Sequence, residues 1–184
     1  MDVQRLIALR AQKDAFFADH PQSPLTEAQK AAFTGLTYYV PRANLNMTLT
    51  LHPFEKKDNI QINTTQGIPR WFMRAGEFRF TVGKQEVRLT LYRTPDYLFL
   101  PFVDANAGTE TYPAGRYLEP APLDDTLYQV DFNQAYNPYC AYNPRYDCPL
   151  TPPENRLEVA IPAGEKLPEG DWVRLAFDST DAHP

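Results

Sequence analysis

Side chains that commonly act as hydrolytic nucleophiles or general bases are scarce in this sequence. Serine occurs only at Ser23 and Ser179, and histidine only at His20, His52 and His183. Neither serine lies in a G-x-S-x-G or S-x-x-K motif, which argues against a serine hydrolase. His20 and His52 each precede a proline at the expected end of an element, where a capping or surface role is the simpler interpretation.

Cysteine is also rare, with Cys140 and Cys148 as the only pair and seven residues between them. A structural zinc site takes four thiolate or imidazole ligands, which this chain cannot easily supply, so we expect no metal and no cofactor. Three states of the pair stay open: two packed reduced thiols, a disulfide that closes a short loop, or one reactive thiol. A reducing environment favours the packed thiols.

Positive charge and long apolar runs are likewise in short supply. The chain has 18 Lys and Arg against 23 Asp and Glu, a formal net charge of -5 and no basic run, which argues against a nucleic-acid partner. No apolar run approaches the roughly eighteen residues of a membrane span. Arg5, Arg10 and Lys13 interrupt the first segment before a secretory signal could form. We therefore expect a cytoplasmic protein without a membrane partner, and no pattern indicates an oligomeric state.

The length of 184 residues suits one domain spanning residues 1–184. A helical segment is predicted over residues 2–34. Apolar side chains recur every three or four positions over residues 2–19, and Thr26 with Gln29 forms a capping-box pattern for a second helix that ends before Gly35. An antiparallel β domain follows over residues 38–177, and the polar tail at 178–184 is expected to fray.

From residue 38 onward the apolar period changes from about 3.6 to 2, which is typical of strands. Strands are predicted over residues 45–51, 60–64, 78–82, 87–91, 97–103, 116–118, 127–132, 157–161 and 172–177. Gly83 and Lys84 fit a two-residue type II′ turn. Because the strands follow one another without helices, the predicted fold class is mainly β: an antiparallel barrel or two packed sheets with one or two N-terminal helices (α+β).

One stretch of the chain loses both periodicities. Residues 131–157 read DFNQAYNPYCAYNPRYDCPLTPPENRL, with five prolines, four asparagines, four tyrosines and both cysteines. Proline restricts its own backbone and that of the preceding residue, so an ordered loop is predicted at residues 133–156. We expect this loop to pack over an open end or face of the sheet and to carry function.

This run, together with AGEK at residues 163–166, resembles the hallmark of the bacterial domain of unknown function 1684. FTGLTYY at residues 33–39 and LFLPFVDANAGTETYPAGRYLE at 98–119 are also similar to that family. Members tend to read F-x-D-A-T-S-G-x-E-T-Y-G-x-G-R-Y-L in the second piece. The chain departs from that pattern at Asn106, Ala107 and Pro113. The resemblance implies no established activity.

Two loops hold the side chains from which a site can be predicted. In the first, Asp104, Glu110 and Arg116 could form an acid-base pair with an arginine clamp. Alternatively, Asp104 caps turn amides and Arg116 pairs with Glu110. In the second, Asp131 and Glu154 could form a carboxylate pair. The alternative is that the polar side chains bond to the backbone of their own loop, the candidates being Asn133, Asn137, Glu154 and Asn155.

The leading functional hypothesis is a small-molecule binding domain with a pocket where the two loops meet. The tyrosines of the second loop could line it for an aromatic or sugar-like ligand, or could merely pack the loop down. One alternative is a metal-independent enzyme that uses carboxylate acid-base chemistry or Cys140 as a nucleophile, its pKa lowered beside Arg116 or Arg145. Another is a structural or interaction protein with an exposed apolar patch. The candidate ligand-binding residues are Asp104, Glu110, Tyr112, Arg116, Asp131, Asn133, Tyr136, Asn137, Cys140, Tyr142, Glu154 and Asn155.

Overall fold

The computed structural model describes residues 2–178, and most of its regular structure is β. Two helices come first, α1 (Val3–Asp19) and α2 (Glu27–Ala32). A third, α3 (Asp171–Asp178), follows the sheet. The strands are β1 (Asn46–Pro53), β2 (Asn59–Ile62), β3 (Arg70–Val82), β4 (Gln85–Arg93), β5 (Leu98–Phe102), β6 (Arg116–Leu118), β7 (Ala121–Pro122) and β8 (Leu127–Asp131).

These strands form one antiparallel sheet with the order β6-β5-β4-β3-β1-β8-β7, and β2 pairs with β3 outside that path. The sheet curves into a half-barrel, which confirms the mainly β class and selects one curved sheet over two packed ones. The long strand β3 pairs with β4 along one edge, and along its other edge β2 pairs with its first half and β1 with its second. A Cβ atom at Gly76 would lie 2.5 Å from the His52 carbonyl oxygen, so the close approach of β1 requires glycine there.

The hydrophobic core lies on the inner face of this sheet. Next to the turn between β3 and β4, over residues 78–82 and 85–89, buried side chains alternate with more exposed ones, as Phe78, Phe80, Val87 and Leu89 show. This alternation is the reason the period-2 pattern located the hairpin correctly. Each fully buried Leu or Phe side chain contributes roughly 1.5–3 kcal/mol relative to an exposed one. The core also includes Leu91, Leu100, Phe102, Val130, Phe132, Val159, Ile161 and Ala163.

Two local predictions are confirmed in detail. The Thr26 side chain accepts from the Gln29 amide at 3.2 Å, and the Gln29 side chain accepts from the Thr26 amide at 2.9 Å, so the capping box forms. Strand β3 ends at Val82 and β4 begins at Gln85. Gly83, the first central residue of the turn, has a φ of 63°, as a type II′ turn requires. Lys84, the second, has a negative φ, since no non-glycine residue among residues 2–178 has a positive one.

The strand predicted at residues 157–161 is wrong. This segment runs beside residues 103–105 through separate bonds, the Leu157 amide to the Val103 carbonyl at 2.7 Å and the Ala105 amide to the Val159 carbonyl at 3.0 Å. The next backbone donor of a continuing ladder would be the Ile161 amide, but it donates to the Asp104 carboxylate at 2.9 Å. A side chain therefore takes the place of a continuing ladder, while the apolar side chains still enter the core.

The strand predicted at residues 172–177 is also wrong, because this segment is helix α3. A short apolar run fits either a strand or a helix, and packing decides between them. Trp172 is 1% exposed and its ring packs edge-on against Phe33, with centroids 5.0 Å apart. The predicted β domain over residues 38–177 therefore ends in a helix. Of the tail predicted to fray over residues 178–184, Asp178 is the last residue of α3, and residues 179–184 lie outside the described part of the chain.

Candidate functional site

The long loop after β8 is held against the sheet by its backbone. It contains three short 3-10 helices, Phe132–Gln134, Tyr139–Ala141 and Pro153–Asn155. Tyr136 and Tyr117 exchange two backbone hydrogen bonds of 2.9 and 2.8 Å, which join the loop to β6. Further along, the Cys148 carbonyl accepts from the Thr65 amide at 2.9 Å. The loop thus crosses from β6 to the segment between β2 and β3.

Three buried asparagines, Asn133, Asn137 and Asn155, anchor the loop to other segments, whereas the alternative interpretation had their side chains bond to the backbone of the loop itself. The fully buried Asn155 side chain accepts from the Thr90 amide at 2.8 Å and donates to the Thr90 and Pro101 carbonyls at 2.8 and 2.7 Å. Asn133 bonds both backbone groups of Arg42. Asn137 donates to the Lys166 carbonyl at 2.8 Å. These amides therefore connect the loop to β4, β5 and distant segments.

The pair Asp104 and Arg116 is assembled, but as a buried ion pair. Their side chains are 2% and 1% exposed, and Arg116 Nη2 lies 3.4 Å from Asp104 Oδ1. Arg116 also donates to the carbonyls of Ile161 at 2.8 Å, of Glu165 at 3.0 Å and of Ala163. Burial lowers the pKa of the Arg116 guanidinium, and Asp104 opposes that shift. The guanidinium therefore holds residues 161–165 against the sheet instead of clamping an external anion.

The predicted pairing of Arg116 with Glu110 is wrong. Glu110 Oε2 instead accepts from the Tyr39 hydroxyl at 2.6 Å, and burial together with this bond raises the pKa of Tyr39 to about 12. The Asp104 carboxylate accepts from the Thr111 hydroxyl at 2.7 Å and from the Ile161 amide at 2.9 Å, instead of from the amides of its own turn. The three residues expected to form an acid-base site are therefore divided between a buried pair and a separate tyrosine bond.

The predicted carboxylate pair of Asp131 and Glu154 does not form within residues 2–178. Asp131 accepts from the Asn133 amide at 3.1 Å and caps the first 3-10 helix of the loop. Glu154 accepts from the Tyr92 hydroxyl at 2.8 Å and lies 3.7 Å from Arg74. The two carboxylates therefore serve different strands. In the same part of the chain, no group of three or more His, Cys, Asp or Glu side chains could hold a metal ion.

Glu165 is a central buried carboxylate that the sequence argument did not single out. It is 1% exposed, and its Oε2 accepts from the Asn137 amide and the Tyr142 hydroxyl, both at 2.7 Å. Its Oε1 pairs with Lys13 of α1. Burial and the adjacent carboxylate raise the pKa of Tyr142. Tyr142, a predicted ligand-binding residue, thus packs the loop against α1.

A cavity of about 520 Å³ opens beside the loop, between it, α1, β3 and the edge formed by β5 and β6. All twelve predicted ligand-binding residues lie in the described part of the chain, and of these only Tyr136 lines this cavity. The cavity therefore lies under the loop but faces β6 and Glu119 instead of the 104–116 turn. Its aromatic walls are Tyr97, Phe99, Tyr117, Tyr136, Tyr139 and Tyr146, and its other side chains are Lys13, Arg70, Glu119, Pro138, Asp147, Cys148 and Pro149.

The aromatic walls are held by their own contacts. The Tyr139 and Tyr146 rings pack edge to face with centroids 5.2 Å apart. The Tyr117 hydroxyl donates to the Pro149 carbonyl, and the Tyr136 hydroxyl donates to Glu119 at 2.9 Å. These bonds occupy both hydroxyls and fix both rings. What the cavity presents is therefore mainly aromatic surface.

The two cysteines are free thiols, and the loop backbone brings them close together. The Cys140 amide donates to the Cys148 sulfur at 3.4 Å. The hydrogen bond with the Cys140 thiol lowers the pKa of Cys148 to about 7, and the same bond together with burial raises the pKa of Cys140. The expectation of a depressed pKa at Cys140 is therefore wrong. Arg116 is buried with Asp104, and Arg145 donates to the Tyr146 hydroxyl at 3.2 Å.

Several residues of the cavity were not predicted from the sequence. Tyr97 and Phe99 are two positions apart at the start of β5 and so project to the same side of the strand, a signal that was available. Glu119 ends the RYLE piece that was noted only for its resemblance to a family. Arg70 and Asp147, by contrast, are 77 positions apart and form an ion pair of 3.3 Å that no local pattern indicates.

An antiparallel half-barrel crossed by an ordered loop, with an aromatic cavity between them, defines a β domain built around a concave site. The chain belongs to the family described as protein of unknown function (DUF1684), whose model matches residues 31–166. This match confirms the resemblance seen in the sequence.

A solved structure shows the same fold. The solution NMR structure of an uncharacterized protein of Haloarcula marismortui is 33% identical, with a TM-score of 0.68. The match covers 89% of this chain and 92% of that one. No curated protein matches this chain. Within residues 2–178, no helix is both long and apolar enough to cross a membrane.

Proposed function

We propose that this protein binds a small planar organic molecule in the cavity beside the loop. The observation that carries the proposal is the set of six aromatic side chains around a volume of about 520 Å³. Small-molecule sites in proteins are typically clefts of roughly 300–1,000 Å³ lined by apolar and aromatic side chains with a few polar groups. Rigid ring faces favour a flat ligand, such as an aromatic ring or a sugar ring.

The charges around the cavity favour a ligand without net charge. Arg70 pairs with Asp147 at 3.3 Å, and Lys13 pairs with the buried Glu165. An anionic ligand would have to compete with these carboxylates for the two cations. Glu119 accepts from Tyr136 through Oε1 and has a second carboxylate oxygen to offer, so the ligand is expected to carry a hydroxyl or N–H donor at its edge.

The first test is native mass spectrometry of the gently purified protein, compared with the same sample after denaturation. A surplus mass in the native spectrum alone would reveal a retained ligand. A second test is an NMR titration with small planar compounds, neutral and anionic. We expect neutral planar compounds to shift amide signals of residues around the cavity, such as Tyr97, Tyr136 and Tyr146, more than matched anionic compounds do.

Variants connect the binding to this cavity. Tyr97 is 40% exposed, so replacing it with alanine removes an aromatic wall at little cost to folding. Trp71→Ala is the matched control, because Trp71 is 64% exposed and does not line this cavity. We expect Tyr97→Ala to weaken binding about tenfold, corresponding to about 1.4 kcal/mol, and Trp71→Ala to leave it unchanged. Equal weakening by both variants, or no binding of any planar compound, would refute the proposal.

A further inference from the structure

We propose that Cys148 and Cys140 form a redox-active dithiol in the wall of the cavity, with Cys148 as the attacking thiol and Cys140 as the resolving thiol. This inference goes beyond ligand binding and does not depend on it. It rests on the short distance between the Cys148 sulfur and the Cys140 backbone, on the different surroundings of the two thiols, and on the position of Cys148 in the cavity wall.

The geometry already brings the two thiols together. The Cys148 sulfur accepts a hydrogen bond from the Cys140 backbone amide, with 3.4 Å between the sulfur and the nitrogen. A disulfide needs a sulfur separation of about 2.05 Å, and the Cys140 side chain has to reach a Cys148 sulfur that already lies beside its own backbone. Thr65 fixes the backbone of Cys148, since its hydroxyl accepts from the Cys148 amide at 3.0 Å and its amide donates to the Cys148 carbonyl at 2.9 Å.

The surroundings differ between the two sulfurs. Cys148 is buried and lines the cavity, whereas Cys140 is half-buried, does not line the cavity and accepts a long hydrogen bond from the Tyr112 hydroxyl at 3.9 Å. The charges acting on Cys148 are those of Arg70, which favours the thiolate, and Asp147, which opposes it. The Tyr112 and Tyr117 hydroxyls are also titratable groups near it, and burial together with the charge of a Cys148 thiolate raises the pKa of both. Donation from the Cys140 thiol and amide to the Cys148 sulfur favours a thiolate at Cys148, which is the nucleophilic form.

The chemistry requires an oxidant, which we assign to the class of hydroperoxides. The Cys148 thiolate attacks the terminal peroxide oxygen and the O–O bond breaks, giving a sulfenic acid at Cys148 and releasing an alcohol, or water from hydrogen peroxide. The Cys140 sulfur then attacks the Cys148 sulfur. An S–S bond forms and the sulfenic oxygen leaves as water. Two electrons pass from the two thiols to the peroxide, and a thiol reductant returns the pair to the reduced state.

The test starts from the fully reduced chain treated with one equivalent of hydrogen peroxide. Peptide mapping should find a Cys140–Cys148 disulfide that forms at least about tenfold faster than in the same chain unfolded in urea. In Cys140→Ser, a sulfenic acid should be trapped at Cys148 by dimedone. In Cys148→Ser, Cys140 should stay unmodified. The melting temperature of both variants, compared with that of the reduced wild type, separates loss of reactivity from loss of folding.

Alkylation of the reduced wild type with iodoacetamide gives an independent readout of the assigned roles. Cys148 should be modified about tenfold faster than Cys140, with a rate that rises through pH about 7. Faster modification of Cys140 would overturn the assignment. Equal rates of disulfide formation in the folded and the unfolded chain would overturn the redox site as a whole.

Discussion

The buried ion pair between Arg116 and Asp104 offers the sharpest test of how this fold holds its loop. Replacing Arg116 with methionine keeps the apolar stem but removes the guanidinium. Asp104, 2% exposed, is then left in the interior without a cation, and the carbonyls of Ile161, Ala163 and Glu165 lose a donor. Breaking a buried pair in this way costs about 3–5 kcal/mol.

That cost is a large fraction of the roughly 5–15 kcal/mol by which domains are usually stable. For a chain of this size, about 2–4 °C of melting temperature is lost per kcal/mol, so a decrease of about 6–20 °C is expected. Urea unfolding followed by circular dichroism measures the free energy of unfolding directly. The matched control is Arg88→Met, because Arg88 is 59% exposed and its pairing with Glu86 at 3.1 Å should contribute less than about 1 kcal/mol.

A double-mutant cycle separates the pair from the rest of the site. Asp104→Asn leaves Arg116 buried without its anion and should also be destabilising. The double variant Asp104→Asn/Arg116→Met leaves no isolated charge, so its loss should be smaller than the sum of the single losses by about 1–3 kcal/mol. Additive losses, or an Arg116→Met variant within about 1 kcal/mol of the Arg88→Met control, would show that the pair does not hold this segment.

Three further predictions concern the buried anchors and the turns. Asn155→Asp, which keeps the shape but replaces the donor to the Thr90 and Pro101 carbonyls with an acceptor, should cost about 2–4 kcal/mol in urea unfolding. Gly164→Ala should cost more than about 3 kcal/mol, because the φ of Gly164 is 78° and a Cβ atom there would lie 2.5 Å from a backbone oxygen. Gly83→Ala is the comparison: the φ of Gly83 is 63° but the space around it is open, so this variant should cost about 1–2 kcal/mol. Glu165→Gln should lower stability by about 1–3 kcal/mol and speed amide exchange at Asn137, and unchanged exchange there would contradict the anchoring role of Glu165.

These anchors share one physical logic. Asn155, Glu165 and Arg116 each place a side chain with several donors or acceptors where a loop backbone would otherwise lose its hydrogen bonds to water. A buried backbone group without a partner is costly, so an irregular segment can cover the sheet only with such substitutes.

The sequence by itself determined the features that obey local rules. The β3–β4 hairpin followed from a period of two and a glycine that can adopt a positive φ. The second helix followed from the capping box of Thr26 and Gln29. The ordered, proline-rich loop and the membership of the family could be predicted from the sequence, because both depend on residues that are adjacent in the chain.

Only the tertiary structure decided which buried groups meet. Arg116 pairs with Asp104 instead of Glu110, because in a folded interior a charge is satisfied by whatever the packing brings within a few ångströms. The run at residues 172–177 is a helix, since a short apolar segment has no period of its own and takes its structure from the surface it covers. The cavity likewise combines β5, β6, α1 and the loop, whose separation along the chain leaves no local signal of their contact.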